Sequence, residues 1–139
     1  MQTLEGLDEN LRFLIVETEN QVRSIRTFLG RPSRKAYEKV ISKDDYIDNL
    51  KTVIENKCFT TIHSRQPGKK EINKIRSIQT IAVNLERMAD FCVNIARQTG
   101  YLDDPAVMSQ YEYGSAFKQI EQSLNRILPV FYSADLSGA

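Results

Sequence analysis

The chain has no tryptophan, one histidine, two cysteines and four prolines in 139 residues, and each scarcity removes a class of function. With His63 alone, no Ser/His/Asp or Cys/His constellation has a histidine to spare, and His63 reads as a surface residue at a helix end. Cys58 and Cys92 lack the spacing of a disulfide framework or a paired zinc motif. Both fall inside helical patterns and read as small buried hydrophobes in a reducing compartment. There is no glycine-rich phosphate loop, and no basic run exceeds two residues. The doublets Arg34-Lys35 and Lys69-Lys70 read as solvated faces; with Arg31 and Lys39 their alternative use is a patch for an acidic partner or lipid headgroups. The net charge of +1 offers no global field for nucleic acid. Phe13 to Val16, the longest aliphatic run near the N-terminus, is far too short for a membrane span or a signal core, and the expectation is a cytoplasmic protein.

What is present is helical periodicity. Hydrophobic content of 41% and charged content of 27% are ordinary for a soluble domain, and this length buries about two thirds of the unfolded surface without staples. Leu4, Leu7, Leu11, Leu14, Ile15, Val22, Ile25 and Phe28 recur in steps of three and four, predicting a long amphipathic helix from Leu4 to Leu29. Thr18 and Gln21 interrupt its heptad stripe, which favours packing within one bundle over a coiled-coil dimer. Gly30 suits a left-handed position after the helix, Pro32 stops it, and Ser33 is a candidate N-cap. A second helix is predicted over 34–64, with Tyr37, Val40, Ile47, Leu50, Ile54, Cys58 and Ile62 on one stripe. Gln66-Pro67-Gly68 is a turn. A third helix carries Ile72, Ile75, Ile78, Ala82, Leu85, Ala89, Val93 and Ala96 and stops at Gly100. After a loop ending at Pro105, a fourth pattern runs through Tyr113, Phe117, Ile120, Leu124, Ile127 and Phe131, with Pro129 set to kink or end it and Ser137-Gly138-Ala139 as a disordered tail. No strand pattern is evident. The predicted fold class is all-α: an antiparallel up-and-down bundle of four helices.

Two carboxylate pairs stand out against this frame. Asp44 with Asp48, and Glu86 with Asp90, are each four apart and so lie one above the other on a helix face. Asp44 falls within the apolar sector of its helix and Asp48 on its shoulder, while Glu86 and Asp90 sit on the shoulder of theirs. Both pairs lie about twenty residues from Pro67, so antiparallel packing brings them to one level. Like charges crowded at a core edge need a compensator. That is either a cation, or a Lys or Arg on a neighbouring helix. All-oxygen ligands favour hard cations such as magnesium, manganese, calcium or ferric iron, and zinc also accepts carboxylates.

The segment LERMADFCVNIARQTG resembles the LERIGDHAxNIA signature of the PhoU domain family, and KDDYIDNLKTVIE resembles that domain's DxxIDxLExxIE helix. IHSRQPGKKEINKIR is similar to the family's IARRQPxAxDLR connection, so the resemblance runs in order from about Val40 to Arg97. It implies an all-helical unit of three helices whose paired E(D)xxxD motifs bind metal, here Asp44, Asp48, Glu86 and Asp90, and a role in controlling phosphate uptake and signalling. Two departures concern the site. Ala89-Asp90-Phe91 stands where the family often has Gly-Asp-His, and Lys51 stands where a Glu is frequent, which lowers the negative charge near the first pair.

The expected protein is therefore a non-enzymatic, metal-binding regulator whose carboxylates hold iron, zinc, manganese or magnesium. It would act on a phosphate transporter subunit or a sensor histidine kinase and reach the membrane only through that partner. A homo-oligomer stays open, and no nucleic-acid partner is expected. Family members usually carry two copies of the unit. Residues 1–139 thus read as one helical domain or as the amino-terminal fragment of a longer two-copy protein, with Val130 to Asp135 faintly echoing Val40 to Asp44. The rival readings are a helical assembly module of another ion transporter, and a ferritin-like carboxylate metalloenzyme. The latter chemistry usually wants Glu-x-x-His pairs, which His63 is not placed to supply.

Overall fold

A computed structural model of the chain describes residues 2–102, 104, 106, 107 and 113–131, with side chains from residue 6 onward and excepting those of 64 and 65. The side chain of Leu4, Pro105, the tail Ser137-Gly138-Ala139 and most of the 130–135 echo lie outside the described residues. The elements are α1 (Gln2–Gly30), α2 (Arg34–Arg65), α3 (Lys69–Thr99) and α4 (Gly114–Asn125). Among the described residues the fold is all-α, as predicted, with no strand. No described helix is long and apolar enough to cross a membrane.

The helix ends follow from local chemistry, with two departures from expectation. Ser33 caps α2: its Oγ accepts from the Ala36 amide at 3.0 Å. Gly30 is not left-handed; it closes α1 as a helical residue, and the chain leaves the helix where Pro32 has no amide to donate. Among the described residues the one left-handed non-glycine residue is Gln66, at φ 45° and ψ 61°, directly before Pro67. Proline disfavours the right-handed helical region for its predecessor, so α2 must stop there. Gly68 then opens α3 with extended backbone. In the fourth pattern the regular helix stops at Asn125, and Arg126 donates to the Ser123 carbonyl at 3.2 Å before helical backbone resumes over 127–131. Pro129 accounts for this break. Its ring collides with the carbonyl four residues earlier, that of Asn125, and it has no amide to bond it.

Helix α1 is the hub, packing against α2, α3 and α4, while α2 and α3 also pack on each other. Leu7, Leu11, Leu14, Val22 and Ile25 of α1 are buried together with Val40, Ile47, Ile54 and Cys58 of α2 and Ile75, Ile78, Ala82, Ala89 and Ala96 of α3. Fully burying a Leu or Ile side chain contributes about 1.5–3 kcal/mol. Being wrapped on three sides, α1 also buries its polar interruptions. Thr18 and Gln21 are fully buried, so the stripe is continuous where the sequence reading broke it. The Thr18 hydroxyl donates to the Leu14 carbonyl at 2.8 Å, and Gln21 Nε2 crosses to the Val40 carbonyl of α2 at 2.7 Å. The ring of Phe28 meets that of Tyr37 at 6.0 Å, fastening α1 to α2 beside their short connection. Helix α4 lies on α1, where Glu121 faces Arg26 at 3.1 Å and Arg23 at 3.9 Å.

Candidate functional site

Because α2 and α3 form a hairpin about Pro67, residues equidistant from that turn come level. Asp44 and Asp90 are each 23 positions from Pro67, and Asp48 and Glu86 each 19. Within each helix, four residues correspond to about 6 Å of rise, one turn of the ladder. The carboxyls of Asp44 and Asp90 face each other across the seam, near enough for a hydrogen bond when one is protonated, and Asp90 stands in the same relation to Glu86 below it on α3. Asp48 acts on Asp90 through its charge. Asp44, Glu86 and Asp90 are half-buried and Asp48 is exposed, the gradation expected from a sector and its shoulder.

Crowding raises the proton affinity of the two central groups. Burial pushes Asp44 above the ordinary aspartate range, followed by the hydrogen bond to Asp90 and the Asp90 charge; Arg97 pulls the other way. Burial likewise pushes Asp90 up, then the hydrogen bond with and the charge of Glu86, then Asp48. Each of the two thus adds negative charge to the other's neighbourhood, and Arg97 is the cation that offsets part of it at Asp44. Both groups end above their ordinary value because ionising either one adds a negative charge to a partly dry cluster that already holds others.

The alternative compensator, a Lys or Arg ion pair, is not formed: none of the ion pairs among the described residues includes Asp44, Asp48, Glu86 or Asp90. Lys51, expected to dilute the negative charge here, is paired with Glu55 at 3.5 Å one turn away. Nor do the carboxylates close into a cage. Among the described residues, no three His, Cys, Asp or Glu side chains are grouped as a metal set. The arrangement is a string, Glu86 to Asp90 to Asp44, with Asp48 to one side. It presents carboxylate oxygens to solvent along the seam.

The remaining candidates fall elsewhere. Cys58 and Cys92 are buried free thiols, and burial pushes both up to about 11. His63 is exposed near the end of α2, stacked on Phe59 at 4.0 Å with Nδ1 at 3.0 Å from the Phe59 carbonyl. Sequence reasoning missed Gln21 as the link between α1 and the turn of α2 that carries Asp44; a glutamine in an otherwise apolar stripe was its only signal. It also missed the acid pair Glu19 and Glu121 at the α1–α4 contact. Burial raises Glu19 above the ordinary glutamate range, Arg23 opposes that, and the Glu121 charge adds to it.

The PhoU domain family model matches residues 8–99, from the second turn of α1 to the last residue of α3. Three relatives are each described as a phosphate-specific transport system accessory protein PhoU homolog. That of Clostridium acetobutylicum is 32% identical over 95 residues, covering 68% of this chain and 43% of the relative. That of Caulobacter vibrioides is 25% identical over 146 residues, covering 99% and 64%. That of Aquifex aeolicus is 34% identical over 83 residues, covering 60% and 38%. The chain thus spans about half the length of the curated relatives it matches. No solved structure matches it.

Proposed function

The chain belongs to the PhoU domain family, and from that membership we propose that it is a regulatory accessory protein of phosphate transport, without catalytic activity of its own. It acts on the cytoplasmic side by contact with a transporter subunit or a sensor histidine kinase. The observation that carries this reading is the coincidence of the family match across α1–α3 with four carboxylates on two successive turns of the α2–α3 seam. A cation held by Asp44, Asp48, Glu86 and Asp90 would neutralise that string and fix the two helices to each other. The donor set fits a hard cation in chemistry and charge: it is all oxygen, its members repel one another, and none is ion-paired among the described residues. Because the carboxyls form a string, metal uptake requires them to exchange contacts with one another for metal contacts.

Elemental analysis of protein purified without chelator tests the metal, and Glu86→Gln with Asp90→Asn tests the ligands. Stoichiometric metal in the parent and none in the double variant, with helicity unchanged, is the expected result; a double variant that keeps its metal through dialysis rules out these ligands. A metal-free assembly module is the second reading, favoured by the hydrogen bond that a protonated Asp44 or Asp90 can make with the other, and absence of metal in both proteins would select it.

A further inference from the structure

On the other side of α2 lies a groove of about 330 Å³ between α1 and α2, lined by Arg23, Lys35, Lys39 and Lys43 and by no carboxylate. Lys35, Lys39 and Lys43 stand at i, i+4 and i+8, so they form one row. Both positions four residues from Lys39 are therefore lysines, which leaves no room for the i,i+4 acid that usually answers a helical lysine. None of the ion pairs among the described residues includes any of the three, and Lys43 is half-buried. The neighbouring Arg34 is already taken by Glu38 at 3.1 Å, whereas Arg23 lies 3.9 Å from Glu121 and also acts on Glu19. Asn20 and Thr27 add neutral hydrogen-bonding groups to the lining.

We propose that this groove binds a small anion carrying two phosphate groups. Charge decides the class: a phosphate group bears about −1.5 to −2 near neutral pH, so three unpaired lysines, with the part of Arg23 that Glu121 and Glu19 leave, match about two of them. Shape agrees, because the volume lies at the small end of ligand pockets and the lining residues come from two helices. The lysine row faces α1 while Asp44 and Asp48 face α3, so the anion site and the carboxylate string occupy opposite flanks of one helix. Arg23 gives the anion a link to α4, since drawing its guanidinium into the groove leaves Glu121 to Arg26 alone.

The test is calorimetric titration of the full chain in metal-free buffer with pyrophosphate and with inorganic phosphate, beside flotation with phosphatidylcholine–phosphatidylserine vesicles. One pyrophosphate per chain, bound more tightly than phosphate, is expected, and Lys39→Gln with Lys43→Gln weakens it about tenfold for each lysine removed. Lys69→Gln with Lys70→Gln, which alters the basic doublet opening α3, leaves it unchanged, and circular dichroism confirms that both variants stay helical. The proposal is overturned by absence of saturable pyrophosphate binding, by equal loss in the Lys69/Lys70 variant, or by vesicle binding that depends on Lys39 and Lys43 while pyrophosphate binds neither protein.

Discussion

Replacing Asp44 by Asn should change the stability of this protein in opposite directions with and without a cation. In metal-free protein the Asp44 carboxyl is raised by burial and by Asp90, so its folded-state affinity for a proton exceeds that of the unfolded chain, whose reference is 3.8. Below that value both states hold the proton and no penalty exists. As pH rises above it, the unfolded chain releases its proton first, and stability falls until the folded group has also ionised; above that point the loss is constant. Asp90 follows the same course. Both side chains retain contact with solvent, which keeps each repulsion near the scale of exposed charge pairs, about 0.5–1 kcal/mol. At neutral pH Asp44→Asn should therefore raise the melting temperature of chelator-treated protein, by roughly 2–3 °C given an unfolding entropy near 2.1 cal/mol/K per residue.

A cation reverses the sign. At about 100 times its dissociation constant a bound ion adds about 2.7 kcal/mol, and over 139 residues that entropy makes it roughly 9 °C. Parent protein should gain this shift with the appropriate divalent or ferric ion, and Asp44→Asn should lose most of it. Thermal melts from mild acid to neutral pH, with chelator and then with each candidate ion, measure both effects. A lower melting temperature for Asp44→Asn in chelator would refute the reasoning, because it would mean that the ionised carboxylate is held in the fold by Arg97 more strongly than it is repelled by its neighbours.

Three further outcomes follow from other parts of the fold. Gln21 Oε1 is buried without a hydrogen-bond partner, while the Val40 carbonyl keeps its bond within α2. Gln21→Met should thus be neutral or stabilising by up to about 1 kcal/mol in urea denaturation, and a loss above about 2 kcal/mol would show that the amide oxygen has a partner. Glu121→Gln removes the charge that Arg23 and Arg26 share and one that raises Glu19. It should lower the Glu19 proton affinity and speed amide exchange across 114–125 at a cost of about 1 kcal/mol, and unchanged exchange there would discount the pair as a fastening. With both thiols pushed up to about 11, each is ionised in only about one molecule in a thousand at pH 8, so Cys58 and Cys92 should resist a thiol-reactive dye until the protein unfolds. Rapid labelling of the native chain would contradict their burial.

The parts of this fold that were legible in the sequence are those governed by a local period or by a distance along the chain. The stripes of α1, α2 and α3 announced the core because each helix is long, and the levelling of Asp44 with Asp90 followed from the Pro67 turn, since a hairpin leaves no freedom in register. What the sequence hid depends on how many neighbours an element acquires. Thr18 and Gln21 looked like gaps because a single stripe covers only one contact, whereas α1 is enclosed by α2, α3 and α4 and buries polar groups that can bond a carbonyl. The same limit explains why Lys35 and Lys39 read as solvated charges or as a surface patch, without Lys43 as their companion. Their common groove exists only because α1 supplies its other wall.

Helix α2 therefore carries opposite charges on its two flanks, lysines toward α1 and aspartates toward α3, for a physical reason that bears on regulation. A cation bound at the carboxylate string would strengthen the α2–α3 seam, and an anion in the lysine groove would strengthen the α1–α2 seam, both next to the turn of α2 that carries Lys43 and Asp44. Lys43 and Asp44 are adjacent, and Gln21 fastens that turn to α1 through the Val40 carbonyl at 2.7 Å. The two ligands would share whatever ordering of α2 the first one imposes, so the second should bind more tightly, by the same factor in either order. Titrating pyrophosphate with and without saturating metal measures that factor. Independent affinities would show that the turn around Val40 is already rigid in the unliganded protein, and that the two flanks of α2 work separately.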